Sequence, residues 1–362
     1  MVSNFEFLEK DFPVLANFGE LAEKYCYSDS NSCLMKLGMI GETIVNLMFT
    51  YDRIASPQDN TAVARIDTLV REGLLTRDLA TILHGLRKVR NKAVHENYSS
   101  VTDGKNFLPM AYGMCEWFMQ TYGDWSYIHK DYVMPEESVM VVAIDKTAEE
   151  KKEAELAKQA EENAANAPKV AQEERKKQAY KVDNQRPKTE AETRFIIDEQ
   201  LRMVGWEADT ENIRYSKGVR PTKGRKLAIA EYPTNSTVGN RGYADYALFI
   251  GEKLMGIIEA KAIHKDIPSV IDYQGKDYPR CIREEDEKYV IGKCPSLYHH
   301  FPWTAHVAYN PRFRRRSLCR KSDLRHPGYP ILLYVSRHNP PQTGCGHIRS
   351  SVHTPRWLPS PT

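Results

Sequence analysis

No apolar run in this chain approaches the ~20 residues needed to span a bilayer, which argues against a membrane protein. The first residues, Met1-Val-Ser-Asn-Phe-Glu-Phe-Leu-Glu-Lys10, lack a signal-peptide core, so the expected compartment is the cytoplasm. The seven cysteines are odd in number and scattered, with neither paired zinc spacing nor a disulfide framework. Cys26, Cys33 and Cys115 read as reduced core or helix residues. The sequence also lacks a G-x-x-x-x-G-K-[ST] phosphate loop. Asp103-Gly104-Lys105-Asn106 misses the first glycine and the hydroxyl, so no productive ATP site or DNA motor is expected here. Acids are nearly missing from the end of the chain. From Cys294 to Thr362, ten Lys and Arg face a single acid, Asp323, and half of the 20 prolines fall there. The formal net charge of +3 therefore conceals an acidic body with a basic end. Long-range attraction of that body to DNA is weak, and contact would depend on local patches. Lys217, Arg220, Lys223, Arg225 and Lys226 form one, expected to lie next to the site proposed below.

What is present divides by periodicity. Leu34, Leu37, Ile40, Ile44, Leu47 and Met48 follow helical spacing. So do Val63, Ile66, Leu69 and Val70, then Ile82, Leu86, Val89 and Ala93, and Phe107–Tyr122 adds an aromatic-rich helix. Residues 1–130 are expected to form a helical bundle. Val139–Ile144 reads as a short strand. Residues 147–188, rich in Ala, Glu, Lys and Gln, lack an apolar stripe and read as a solvated helical linker between two domains. Residues 189–292 change to an α/β pattern. Residues 293–362 show no clear domain pattern. They are expected to be an irregular, aberrant extension of a truncated chain, with a basic nucleic-acid arm as the alternative.

The most informative segment is a pair of apolar runs, Tyr246–Ile250 and Leu254–Ile258, joined by Gly251-Glu252-Lys253. This reads as a β-hairpin. A turn centred on Glu252 puts Asp245 directly opposite Glu259, and period-two alternation puts Lys261 on the face of Glu259. Like charges directly opposite destabilise a sheet, and at ~4 Å they repel by roughly 4 kcal/mol at an effective dielectric of 20. A divalent cation removes the conflict, and hard carboxylate ligands suit Mg²⁺. With Lys261 orienting water, the set fits metal-assisted phosphodiester hydrolysis. A surface hairpin with a salt-bridged lysine is the alternative. Upstream, Thr189 followed by Glu192 is a capping-box pattern. Phe195, Ile197, Leu201 and Val204 make a helical stripe, Gly205 is a stop, and Glu190 falls in the first turn, where the helix dipole favours an acid. Ser269 can cap a later helix on which Gln274 and Tyr278 share a face.

Asp245…Glu259-x-Lys261 resembles the PD-(D/E)xK nuclease superfamily. Thr189-Glu-Ala-Glu-Thr-Arg194…Ile197-Asp198…Leu201…Gly205-Trp206 is similar to the opening helix of the nuclease domain of type I restriction R subunits. Gln274-Gly-Lys-Asp-Tyr278 resembles their Q-x-x-x-Y motif. The resemblance runs from about Thr189 to Ile291. It implies a restriction-endonuclease-like α/β domain that hydrolyses DNA. Asp245 and Glu259 would be metal ligands, Lys261 catalytic, and Glu190, Gln274 and Tyr278 supporting. It further implies methylation and specificity subunits as partners, with ATP belonging to the motor domains of the intact family. Arg90-Asn91-Lys-Ala-Val-His95 resembles the R-x4-H motif of HEPN domains, helical bundles in which Arg and His form a metal-independent RNase site. Five residues along a helix separate Arg90 from His95 by ~140°, so that site would need a helix break or a second protomer. Structural hydrogen bonds from Asn91 and His95 at a helix junction are the alternative. The fold expected is thus α plus α/β. Rival functions are a HEPN ribonuclease and a non-enzymatic remnant.

Overall fold

Among the described residues, eight α-helices precede and open onto a six-stranded sheet. A computed structural model describes residues 3–137, 146–235, 242–260, 283–289, 297–300 and 305–309. These fall within one compact unit, Met1–Arg312. The expected strand Val139–Ile144, together with Lys261, Gln274, Tyr278 and residues 310–362, lies outside the described residues.

The first five helices are α1 (Pro13–Ser28), α2 (Ser30–Asp52), α3 (Ala62–Arg71), α4 (Arg77–Glu96) and α5 (Val101–Tyr122). Each apolar stripe found in the sequence lies on one of them. Side-chain caps start four of them: Asp29, Thr61, Thr76 and Ser100 each accept a bond from a first-turn backbone N–H. Helix α2 is, by length and composition, apolar enough to cross a membrane. No continuous apolar run marks it, because Lys36 and Glu42 interrupt the pattern. In the fold it is a core helix, with Leu34, Leu37, Ile40 and Ile44 fully buried. Trp117, Phe118, Phe5 and Phe12 complete that core.

The segment expected to be a solvated linker packs on this bundle instead. It forms α6 (Lys146–Asn166) and α7 (Gln172–Gln185). Ala160, Ala164, Ala179 and Val182 join the bundle core. Lys36 of α2 is enclosed by Glu149, at 2.6 Å, and Glu153 of α6. On α7, Arg175 lies 4.3 Å over the Tyr122 ring and 3.5 Å from Asp52. The Trp117 indole donates to the Ala179 carbonyl at 3.0 Å. The packed face escapes the hydrophobic pattern for a chemical reason. The buried face of α6 is made of alanine and of glutamates that meet a buried lysine, so it carries little hydrophobic signal while still being excluded from water.

Helix α8 (Glu190–Met203) leads into the sheet, whose strands are β1 (Glu207–Ala208), β2 (Lys226–Pro233), β3 (Tyr243–Ile250), β4 (Lys253–Ala260), β5 (Leu297–His300) and β6 (Ala305–Tyr309). Their order is β1-β2-β3-β4-β6-β5, with β1 and β2 parallel and the other neighbours antiparallel. Strands β5 and β6 correct the expectation that residues from 293 onward lack a domain pattern: the sheet continues to Tyr309.

The start of α8 keeps half of the predicted capping box. Thr189 Oγ1 accepts from Glu192 N at 3.1 Å. The Glu192 carboxylate does not return to the cap; it binds Arg186 in a buried two-point contact at 2.9 and 2.5 Å. Gly205, at φ +87°, ends the helix as expected. There the Trp206 N–H bonds back to the Leu201 carbonyl at 3.0 Å.

Candidate functional site: an acidic pocket at the strand ends

The hairpin between β3 and β4 turns at two residues, Gly251 and Glu252, between the paired Ile250 and Lys253. Gly251 takes φ +59°, which glycine adopts without penalty. The turn is therefore centred half a residue earlier than expected. A bulge at Met255 then shifts the ladder by one, and the pairs beyond it run Leu248↔Gly256, Ala247↔Ile257 and Tyr246↔Ile258. The register runs as far as Tyr246↔Ile258, one position short of the Asp245–Glu259 pair expected from the sequence. On its other side Glu259 is in register with His306 of β6.

Asp245 is buried and lines a cavity of about 290 Å³ with Arg194, Glu231, Tyr243 and Ala244. Arg194 comes from α8. Its Nη2 lies 2.9 Å from Glu190 Oε1, 3.6 Å from Glu231 Oε1 and 4.0 Å from Asp245 Oδ1. Burial works against its charge, but the Glu190 hydrogen bond and the Asp245 charge outweigh it and hold the guanidinium above its usual range. Glu190, from the first turn of α8 as predicted, is 80% exposed and bonded to Arg194. Glu190 does not itself line the cavity; it meets Arg194, which does.

The orientation of α8 over β3 is fixed next to Asp245. Tyr246 Oη shares a hydrogen bond with Thr210 Oγ1 at 2.6 Å and donates to the Arg194 carbonyl at 3.4 Å. Asp198 accepts from Thr210 N at 2.8 Å. Burial pushes the Asp198 carboxyl up, against the hydrogen bonds from Thr210, and pushes the Tyr246 phenol up with help from the Asp198 charge.

Glu231 is absent from the residues singled out by sequence. It adopts φ +47°, a left-handed conformation rare for a residue with a side chain. The distortion breaks the alternation of β2: Leu227 and Ile229 share one apolar cluster, and the next member is Tyr232. Glu231 is thereby released from the strand pattern, and its carboxylate meets Arg214 Nη2 at 2.9 Å as well as the Arg194 side. A strained backbone of this kind costs on the order of 1–2 kcal/mol and is typical of functional sites. A signal exists in the sequence: Glu231 is the one acid inside Leu227–Tyr232, the same anomaly that singles out Asp245.

The basic patch is displaced from the site. Lys226 pairs with Ile250, at the end of the β2–β3 ladder next to the β3–β4 turn. Asp245 lies five residues further along β3, roughly 17 Å at strand rise. Arg225 is paired with Glu207 at 2.6 Å, and Lys223 lies 3.9 Å from Glu252. Arg220 stacks 3.5 Å over Tyr215.

In the bundle, α4 runs unbroken from Arg77 to Glu96, so Arg90 and His95 point to different sides of one helix. The Arg90 stem packs over Gly38, and its guanidinium pairs with Glu42 at 3.1 Å. His95 is exposed in the last turn. The junction bonds come from Asn31, whose Nδ2 donates to the Ala93 and Tyr98 carbonyls at 2.8 Å each, and not from Asn91 or His95.

Together these features define an α plus α/β chain with a pocket at the strand ends lined by Asp245, Glu231 and a helix arginine, Arg194. Residues 207–310, from the first residue of β1 to just past β6, match the family described as the second domain of the type I restriction enzyme EcoKI endonuclease subunit. Residues 20–157 match a domain family of unknown function, DUF4145, and so reach from α1 into the docked helix α6. The type I restriction enzyme EcoKI endonuclease subunit of Escherichia coli (strain K12) is 27% identical over 332 residues, which cover 77% of this chain. The chain spans 28% of that relative's length. No solved structure matches the chain significantly. The chain is thus similar to the N-terminal part of a type I restriction R subunit, as its motifs suggested.

Proposed function

We propose that this chain carries the DNA-cleaving site of a type I restriction R subunit and hydrolyses phosphodiester bonds with Mg²⁺. The observation that carries the reading is Asp245, buried at a cavity one position beyond the Tyr246↔Ile258 pair, where the same register continued by one residue would set it opposite Glu259. Asp245 is a hard carboxylate donor of the kind Mg²⁺ takes, and Glu259 is the acid the register would bring beside it; Glu190 and Glu231 are engaged by Arg194 and Arg214. Bound there, Mg²⁺ supplies Lewis-acid polarisation of a phosphate and a lowered pKa for water. Asp245 and Glu259 hold it. Lys261 positions the attacking water and offsets charge gathering on the phosphate. Gln274 and Tyr278 support contact with DNA. Arg194, tied to Glu190, neutralises the acids from the α8 side. The methylation and specificity subunits of such an enzyme are the partners this reading entails, and the cytoplasm is the compartment.

The test is nicking of supercoiled plasmid by the purified chain. Cleavage is expected with Mg²⁺, and both EDTA and Lys261→Ala should abolish it. Cleavage that survives Lys261→Ala, or none at all from a folded wild-type chain, would remove the proposal.

A further inference from the structure

One guanidinium stands where three carboxylates converge. Nη2 of Arg194 is shared among Glu190, Glu231 and Asp245 at 2.9, 3.6 and 4.0 Å, and only the first distance is a contact of full strength. Its Nη1 is buried and makes no hydrogen bond. Beyond its bonds to Glu190, the guanidinium stands beside Glu231 and Asp245 by charge, at distances too long for full hydrogen bonds. Among the described residues, no three acids, histidines or cysteines are grouped so as to hold a metal ion. The acids surround the arginine instead.

We infer that Arg194 is a positioning residue that fills the cation's place beside Asp245 when no metal is bound, so that a divalent ion enters by displacing its guanidinium. The inference rests on the nuclease reading above. The route of displacement is built in. Both Nε and Nη2 of Arg194 already bond Glu190, at 3.0 and 2.9 Å, and Glu190 is largely in solvent. The guanidinium can therefore move outward without losing that partner. Glu231 keeps Arg214 at 2.9 Å when Arg194 leaves, so it is not left without a counter-charge. What departs from Asp245 is a positive charge at 4.0 Å, in competition with any incoming cation.

The experiment is calorimetric titration of Mn²⁺ into the full chain, with circular dichroism confirming the fold of each variant. Arg194→Gln should bind Mn²⁺ about three- to tenfold more tightly than wild type, the size expected for losing one partly screened charge. Arg194→Lys, which keeps the charge, should stay near wild type. Arg194→Met retains the apolar stem and replaces the glutamine variant if that one fails to fold. Asp245→Asn should abolish saturable binding. Unchanged or weaker binding by the neutral variants, with Asp245→Asn still abolishing it, overturns the role of Arg194 and leaves the nuclease reading in place. Wild-type affinity in Asp245→Asn overturns the metal site itself, and this inference with it.

Discussion

Removing the Lys36 ammonium should unfold the α2–α6 contact from within. Its side chain is 8% exposed, and those of Glu149 and Glu153 are 10% and 7% exposed. Lys36→Ala leaves both carboxylates buried without their cation, with Tyr25 Oη donating to Glu149 at 2.8 Å as the remaining support there. Breaking a buried ion pair from one side costs about 3–5 kcal/mol, a large share of the ~5–15 kcal/mol that stabilises a typical domain. Burial already raises the Glu153 carboxyl above its ordinary range, with Lys36 pulling it down. Loss of the lysine raises it further. A raised folded-state value means that protons favour the fold, so the deficit should be largest near neutral pH and shrink as pH falls through that value. The assay is urea unfolding of the full chain at pH 7 and pH 5, with limited proteolysis of residues 146–166 as a local readout. The variant Lys36→Met/Glu149→Leu/Glu153→Leu should recover most of the loss, because a well-packed apolar replacement of a buried ion network is often neutral. A loss below about 1 kcal/mol, the range of a solvated surface pair, would refute the docking of α6. So would cleavage of α6 that is equally rapid in wild type.

Gly85→Ala would place a methyl 2.5 Å from Phe195 Cζ and 2.9 Å from Phe107 Cε1; it should destabilise by about 1–3 kcal/mol by overpacking, read as a lower urea midpoint. Asp198→Asn should raise the melting temperature relative to wild type at pH 7 and lose that advantage in acid, since burial lifts the folded carboxyl. A group whose folded value is raised contributes its stability below the unfolded value and loses it as pH rises through the folded one. The neutral amide escapes that loss. Equal melting differences at pH 7 and pH 4 would contradict this. Arg90→Ala removes a half-exposed pair with Glu42. It should cost less than about 1 kcal/mol and leave metal-independent RNA cleavage at the wild-type background.

The helices of the bundle are legible in the sequence because their stripes are long and rich in Leu, Ile and Met. Helix α8 is legible from Thr189 and Gly205. The hairpin of β3 and β4 follows from its two apolar runs, although the two-residue turn and the bulge do not, since Met255 differs little in chemistry from its neighbours. Glu231 escapes because its role depends on a backbone angle, which sequence alternation does not report. Arg194 stands in the motif as one letter of a helix; its meaning comes from Asp245 and Glu231, 51 and 37 positions away. The docking of α6 escapes because alanine and glutamate give the same signature whether a helix faces water or a buried lysine.

Adjacent residues on a helix point about 100° apart, and α8 uses two of them in different places. Arg194 reaches the pocket on the sheet. Phe195 sits against Phe107, with ring centroids 5.2 Å apart, where it also fills the space above Gly85 of the bundle. Lys88 reaches Glu199 at 2.8 Å one turn later. A rotation of α8 that served one neighbour would withdraw a side chain from the other. The helix therefore belongs to neither half alone. A cut made at Thr189 to isolate the sheet would carry away an exposed aromatic side chain. An exchange of the bundle for an unrelated one would have to supply a new seat for Phe195 before the pocket could keep its arginine.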